Sequence, residues 1–198
     1  MGPGVGGGAS KLHLGCGRNA LPGWINVDSQ PLPGVDLVFD LDDCEHRPLP
    51  LSDDSVDEFL ANHVIEHLRH PLPFMQELHR VAKPNAKAVF RLPYGSSDEA
   101  YEDPTHVRQY FLNSFGYFSQ PFYWRADYGY RGDWATEKVT LVVDAGKHAG
   151  KSVEQIMNEV HTLRNVVKEM IVDMRAVKPV REPRAELQSS YRINVQLG

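Results

Sequence analysis

KLHLGCGRNALPGWINVD, residues Lys11 to Asp28, reads as two short strands joined through a glycine turn. Leu12 and Leu14 alternate with polar residues, the period of a strand. Gly15 and Gly17 stop that run around Cys16. Lacking a β-carbon, they let the backbone turn sharply and let a ligand approach closely. Trp24 to Val27 forms a second apolar run and ends in Asp28. A carboxylate at a strand tip beside a glycine turn can accept hydrogen bonds from a ribose diol, as in nucleotide-binding α/β sheets. The pattern implies a nucleoside-bearing ligand lying across the ends of parallel strands.

Gly15 to Ala20 formally matches the G-x-G-x-x-G/A pattern of dinucleotide binders. A pyrophosphate needs a helix N-terminus behind the glycines, and Leu21-Pro22-Gly23 interrupts any helix almost at once. Asp28 also comes too early, since the dinucleotide pattern places its acidic residue about 20 positions on. A ligand without phosphate removes the need for the helix. S-adenosylmethionine is such a ligand: an adenosine, an amino-acid end and a sulfonium.

Further landmarks follow in order: GWINVD at 23–28, Asp40-Leu41, NHVIEHL at 62–68 and RVAKPNAKAVFRLPY at 80–94. Together with LGCG at 14–17 they resemble the compact class I S-adenosylmethionine-dependent methyltransferases of the type 11-like group, over residues 11–118. The resemblance implies an α/β fold: a three-layer Rossmann-like sheet, mostly parallel with an antiparallel last strand. It also implies S-adenosylmethionine as cofactor. Carried over residue by residue, Gly15, Cys16 and Gly17 would line the methionine end and Asp28 the ribose. Asp40 and Leu41 would meet the adenine, with Asn62 and His63 near the sulfonium. The chain departs from the family pattern at three points. His13 stands where an acidic residue is common, Asn85-Ala86 where Gly-Gly is common, and the first helix is short or missing.

With 198 residues the chain is long enough for a single domain with a real core. Its 41% hydrophobic and 24% charged content is ordinary for a globular protein. A net charge of −5 argues against a nucleic-acid partner. Two cysteines, Cys16 and Cys44, suggest a reducing compartment without disulfides. No apolar run approaches the roughly 18 residues of a membrane span, so no membrane partner and a cytoplasmic location are expected.

Residues 1–10 are glycine-rich and read as a disordered tail or cloning scar, leaving 11–198 as the methyltransferase domain. Strands are expected at 35–41, 56–61, 88–92, 138–144 and 191–197. A helix broken by Pro71 and Pro73 is expected over 65–81. Asp103-Pro104-Thr105-His106 reads as a helix start. Residues 101–135 are dense in aromatics and form a cap over the acceptor or ordinary packing on the sheet. Residues 152–177 carry an apolar stripe at helical spacing and read as one long amphipathic helix inserted before the last strand. That stripe packs on the sheet or forms a homodimer seam; packing is favoured because the stripe is wider than a coiled-coil seam.

His63-Val64-Ile65-Glu66-His67 spells H-x-x-E-H, an inverted zincin pattern. No third ligand is apparent from the sequence, so the match is taken as coincidental and no metal residue is assigned. Methyl transfer chiefly needs the acceptor held in line with the methyl group. A general base adds to that, and His106, then His63, are the catalytic candidates. The expected function is methylation of a small-molecule acceptor, with a sugar or glycan precursor suggested by the likeness of DPTHVRQYF (103–111) to a segment of surface-polysaccharide methyltransferases. The alternatives are a non-catalytic S-adenosylmethionine-binding module and a zinc hydrolase using His63, Glu66 and His67.

Overall fold

A computed structural model of the chain describes residues 10–198. The expectation for the glycine-rich start therefore lies, apart from Ser10, outside the described residues. Eight strands build one sheet: β1 Lys11–Leu14, β2 Ile25–Asp28, β3 Leu37–Val38, β4 Val56–Asn62, β5 Ala82–Pro93, β6 Trp134–Val143, β7 Val167–Ala176 and β8 Arg192–Leu197. Their spatial order is β3-β2-β1-β4-β5-β7-β6-β8. All neighbours pair parallel except β7, which runs antiparallel to both β5 and β6. The antiparallel strand is thus the penultimate one in sequence, because β8 adds parallel to β6 at the edge.

The link from β1 to β2 contains no helix, as its length requires. One side chain closes it instead. The Asn26 carbonyl accepts from the Leu21 N–H at 2.8 Å, and its amide donates to the Leu21 and Trp24 carbonyls at 3.1 Å and to Asp36 Oδ2 at 3.0 Å. Asn26 is buried, so each bond offsets a desolvated polar group.

Pro71 and Pro73 open a helix rather than break one. α1 spans Pro71–Val81 with proline in its first turn, where the missing N–H costs nothing. The residues before it form only a single 3₁₀ turn, Ile65–His67. α1 buries Phe74, Met75, Leu78 and Val81 in the same core as Leu12, Leu14, Phe59, Phe90, Val139 and Leu141 of the sheet. Two short helices, α2 Glu99–Glu102 and α3 Ala145–His148, follow later.

The long helix expected over 152–177 divides in two. α4 covers Val153–Thr162, started by a capping box between Ser152 and Gln155. Asn165 then adopts φ +56° and the chain reverses into β7. The apolar residues Val167, Met170, Val172 and Met174 belong to a strand with neighbours on both sides, not to a helix face. Strand pairing there satisfies ten backbone residues that would otherwise leave β5 and β6 as open edges.

The other face of the sheet carries charge. Lys11 pairs with Glu58 at 3.0 Å and Lys138 with Asp173 at 2.9 Å, with Leu60, Val89 and Ile171 half-buried nearby. No residues are available in the β1–β2 and β2–β3 links to build helices over it, so the layering is uneven. Among the described residues no helix is long and apolar enough to cross a membrane.

The aromatic stretch forms two 3₁₀ turns, Ser114–Phe118 and Gln120–Trp124. Phe115, Phe118, Tyr123, Tyr130 and Trp134 pack into the core, while Tyr117, Trp124 and Tyr128 stay exposed. The region is therefore partly sheet packing and partly free wall.

Candidate functional site

Because β3, β2, β1 and β4 run parallel and adjacent, the residues at their C-terminal ends gather on one edge of the sheet. Ligands of open α/β sheets sit on that edge. Gly15 to Gly17 follow β1, Asp28 closes β2, Asp40 and Leu41 follow β3, and Asn62 and His63 lie at the end of β4.

Gly15 and Gly17 have φ of +58° and +52°, in the region that favours glycine. A Cβ at Gly15 would lie 2.5 Å from Val64 Cγ2, so close packing against the β4 exit requires its absence. A Cβ at Gly17 would meet no atom within 4 Å, which leaves open space on that side of the turn. Cys16 points inward and is buried; burial pushes its thiol pKa up, so it offers backbone rather than a reactive sulfur. Asp28 accepts the Gly17 N–H on Oδ2 at 2.8 Å and the Gln30 N–H on Oδ1 at 3.0 Å. The turn and the carboxylate are thus one unit. Each oxygen keeps a second lone pair for a ribose hydroxyl, so this cradle fits a phosphate-free adenosine ligand.

His13 does not face the ligand edge. It is buried against Trp24 and lies 3.3 Å from Asn26 Oδ1, and burial lowers its pKa. Asp40 is exposed, with Oδ1 accepting from the Asp42 N–H at 3.0 Å. Leu41 turns into the core instead. Asn62 is exposed at the edge.

His63 has φ +53° and both ring nitrogens meet carboxylates. Nδ1 lies 3.4 Å from Glu66 Oε1 and Nε2 lies 2.8 Å from Glu169 Oε1. The Glu66 carboxylate, joined by Glu169, raises its pKa above the ordinary value despite burial. The two carboxylates favour the charged form of this imidazole. Arg91 Nε completes the group by donating to Glu169 Oε2 at 2.9 Å. Glu169 and Arg91 carry no motif; only the strand pairing of β5 with β7 brings them to this edge.

His106 does not start a helix. Residues 103–109 are turn and extended chain, and Asp103 Oδ1 accepts the Thr105 N–H at 2.8 Å in a local turn. The Glu66 carbonyl anchors this segment, accepting the Val107 and Arg108 N–H groups at 2.9 and 3.3 Å. The anchor brings the His106 ring to 4.7 Å from that of His67, edge to face. The His106 side chain is 5% exposed, and its Nδ1 has no hydrogen-bond partner. The two histidines named from the sequence, His63 and His106, therefore both flank Glu66, a residue the sequence reading left without a role in methyl transfer.

A cavity of about 790 Å³ is lined among others by Tyr94, Arg108, Asn113, Tyr117, Tyr123 and Tyr128; Gly15 to Gly17, Asp28, Asn62, His63 and Glu66 are not in its wall.

The methyltransferase domain family matches residues 2–90, from before the glycine turn into β5. No curated protein sequence matches the chain. Among solved structures, a SAM dependent methyltransferase from Archaeoglobus fulgidus is 16% identical, with 85% of this chain and 86% of that one covered and a TM-score of 0.53. A putative methyltransferase from Haloferax volcanii, in complex with the Trm112 activator, is 16% identical over 90% of this chain and 86% of that one, TM-score 0.54. A SAM-dependent methyltransferase of Thermotoga maritima, described as a possible histamine N-methyltransferase, is 14% identical over 86% and 83%, TM-score 0.53. At these identities the likeness is one of fold. The family match over residues 2–90, the shared fold and the cradle at Gly17 and Asp28 make the chain similar to the class I S-adenosylmethionine-dependent methyltransferases.

Proposed function

We propose that the chain transfers a methyl group to a hydroxyl-bearing small molecule of the sugar or glycan-precursor class. S-adenosylmethionine supplies, when bound, a sulfonium methyl that is already a good target for displacement. The chain's own residues bind, orient and exclude water. In this reading the turn at Gly15, Cys16 and Gly17 takes the methionine end, and Asp28 takes the ribose hydroxyls. Asp40 and the backbone of Leu41 meet the adenine, and Asn62 and His63 border the sulfonium. Orientation is worth roughly 7–11 kcal/mol, against about 3–5 kcal/mol for a general base, so positioning carries most of the rate.

The observation that carries the acceptor class is the tyrosine-lined cavity, whose wall includes Arg108, held to the Glu66 carbonyl through its backbone N–H. Tyrosine rings offer flat apolar faces to the C–H face of a sugar, while their hydroxyls, Arg108 and Asn113 offer hydrogen bonds. One short segment links cavity and cluster: His106 enters the cluster and Arg108 the cavity wall. His106, two residues from the cavity-lining Arg108, is the residue assigned to the acceptor oxygen; its Nδ1 is buried without a hydrogen-bond partner and turns toward the cavity when the acceptor binds.

Transfer of a labelled methyl group from S-adenosylmethionine to a panel of sugars, nucleotide sugars, amines and peptides tests this. Label in a sugar hydroxyl, reduced about 10²–10⁴-fold in His106→Gln, is the expected result. Label only in amines or peptides overturns the acceptor class, and donor binding without any transfer favours a non-catalytic module.

A further inference from the structure

Glu66 is 2% exposed, and neither of its carboxylate oxygens accepts a hydrogen bond. His63 is within ion-pair distance but does not meet hydrogen-bond geometry. His63 faces Oε1 alone, at 3.4 Å, so a second cation beside this buried carboxylate would offset the cost of its burial further. Beside it stand two imidazoles. One ligand-capable atom from each of Glu66, His67 and His106 lies within 4.8 Å of the other two.

The surrounding bonds aim the two rings. Thr105 Oγ1 donates its only proton to Asp103 Oδ1 at 2.6 Å, because a carboxylate can only accept. Its contact with His67 Nδ1 at 3.0 Å must then run the other way, from a His67 Nδ1–H to the hydroxyl oxygen. Neutral His67 therefore keeps its lone pair on Nε2. Asp103 Oδ2 also faces His106 Nε2, at 3.8 Å, while the buried Nδ1 of His106 is left bare. Histidine metal ligands are commonly oriented by such outer hydroxyl and carboxylate partners.

We infer that Glu66, His67 and His106 form a binding site for a divalent first-row transition metal ion, with zinc as the reference ion. Two imidazoles and one carboxylate suit zinc, manganese, iron or cobalt better than magnesium or calcium, which favour oxygen ligands. Bonds of about 2.0–2.2 Å need the three side chains to close by only about an ångström. Three protein ligands leave coordination open, the arrangement of catalytic rather than structural sites. The sequence alone shows only the H-x-x-E-H half of this set; its third ligand, His106, arrives because the Glu66 carbonyl holds the 107–108 backbone. In the methyl-transfer reading a bound cation would polarise the acceptor oxygen and take over the part given above to the His106 base, His106 then serving as a ligand. That consequence rests on the proposed function, whereas the site itself does not.

The test needs neither methyl donor nor acceptor. The whole chain, stripped with chelator, is titrated calorimetrically with Zn²⁺ and separately with Mg²⁺, and the visible spectrum is recorded with Co²⁺. One Zn²⁺ per chain is expected, bound at least tenfold tighter than Mg²⁺, with Co²⁺ giving ligand-field bands of nitrogen and oxygen coordination. His106→Gln and Glu66→Gln should weaken Zn²⁺ by more than about 100-fold, and Thr105→Val, which only orients His67, by about 10–100-fold. The wild-type cobalt spectrum is informative even if a variant fails to fold. Absence of stoichiometric Zn²⁺ and Co²⁺ binding, no preference over Mg²⁺, or Zn²⁺ affinity unchanged in all three variants overturns the site. Metal binding without methyl transfer to sugars would retain the site and reject only the acceptor assignment.

Discussion

A methyl group added at position 15 and one added at position 17 have different consequences, although both glycines share the left-handed backbone region. Gly15→Ala strains the backbone and drives a Cβ into Val64, so it should lower stability by about 2–4 kcal/mol in urea denaturation. Gly17→Ala meets open space, so its stability cost should be limited to the roughly 1–2 kcal/mol of the left-handed conformation. Its effect should show instead in donor affinity, weakened about tenfold or more by calorimetry, because the new methyl projects where the ligand approaches. The glycine turn and its bond to Asp28 were legible in the sequence because they depend on a few adjacent residues. Glu66 was not: its string of letters was visible, but the bare carboxylate and the approach of His106 are products of a distant backbone contact. Asn26 was missed for a related reason, since a buried asparagine that stitches a loop leaves no spacing pattern behind.

At the scale of elements, residues 153–174 show how far periodicity can mislead. Val153, Ile156 and Val160 keep helical spacing, and Met170, Val172 and Met174 then alternate with period two. The two patterns merge into one apolar stripe on a helical wheel, so the reversal at Asn165 is hidden. Asn165 does more than tolerate φ +56°: its Oδ1 accepts the Asp98 N–H and its amide donates to the Asp98 carboxylate, both at 2.7 Å. Asn165→Ala should cost about 1–3 kcal/mol, and Asn165→Gly, which restores only the backbone freedom, should cost less. Unequal denaturation midpoints in that order support the assignment; equal ones contradict it. A second fixed point is Asp133 at the head of β6, fully buried and bound by Arg181 through Nε and Nη2, both at 2.8 Å. This pair straps the chain after β7 onto the aromatic turns through Ser119 Oγ, 2.9 Å from Arg181 Nη2. Arg181→Met leaves the carboxylate buried without its cation and should destabilise by about 3–5 kcal/mol. A loss below 1 kcal/mol in urea titration would show that the strap is ornamental.

Across the whole molecule, the parallel half from β3 to β5 was readable because each strand ends in a landmark, whereas the uneven layering reflects links too short for helices. Stability should also depend on pH in a defined direction. His79, at the end of α1, is buried, with Nε2 3.0 Å from the Val177 carbonyl oxygen, and burial lowers its pKa below the ordinary 6.5. Below about pH 6.5 the unfolded chain therefore takes up a proton that the fold resists, so stability present above that pH is lost as pH falls. Between pH 7.5 and 5.5 the wild type should lose more stability than His79→Gln, which keeps a donor for Val177; equal slopes in denaturant titrations would contradict this. The methyl-transfer reading depends on the cradle formed by the Gly17 N–H and the Asp28 carboxylate. The most direct test is calorimetric titration of S-adenosylmethionine into the wild type and Asp28→Asn. The account predicts one site per chain in the wild type and at least about a tenfold loss in the variant, since hydrogen bonds to a charged group contribute about 1.5–3 kcal/mol. A wild type that binds no donor, or a variant that binds it undiminished, would contradict it.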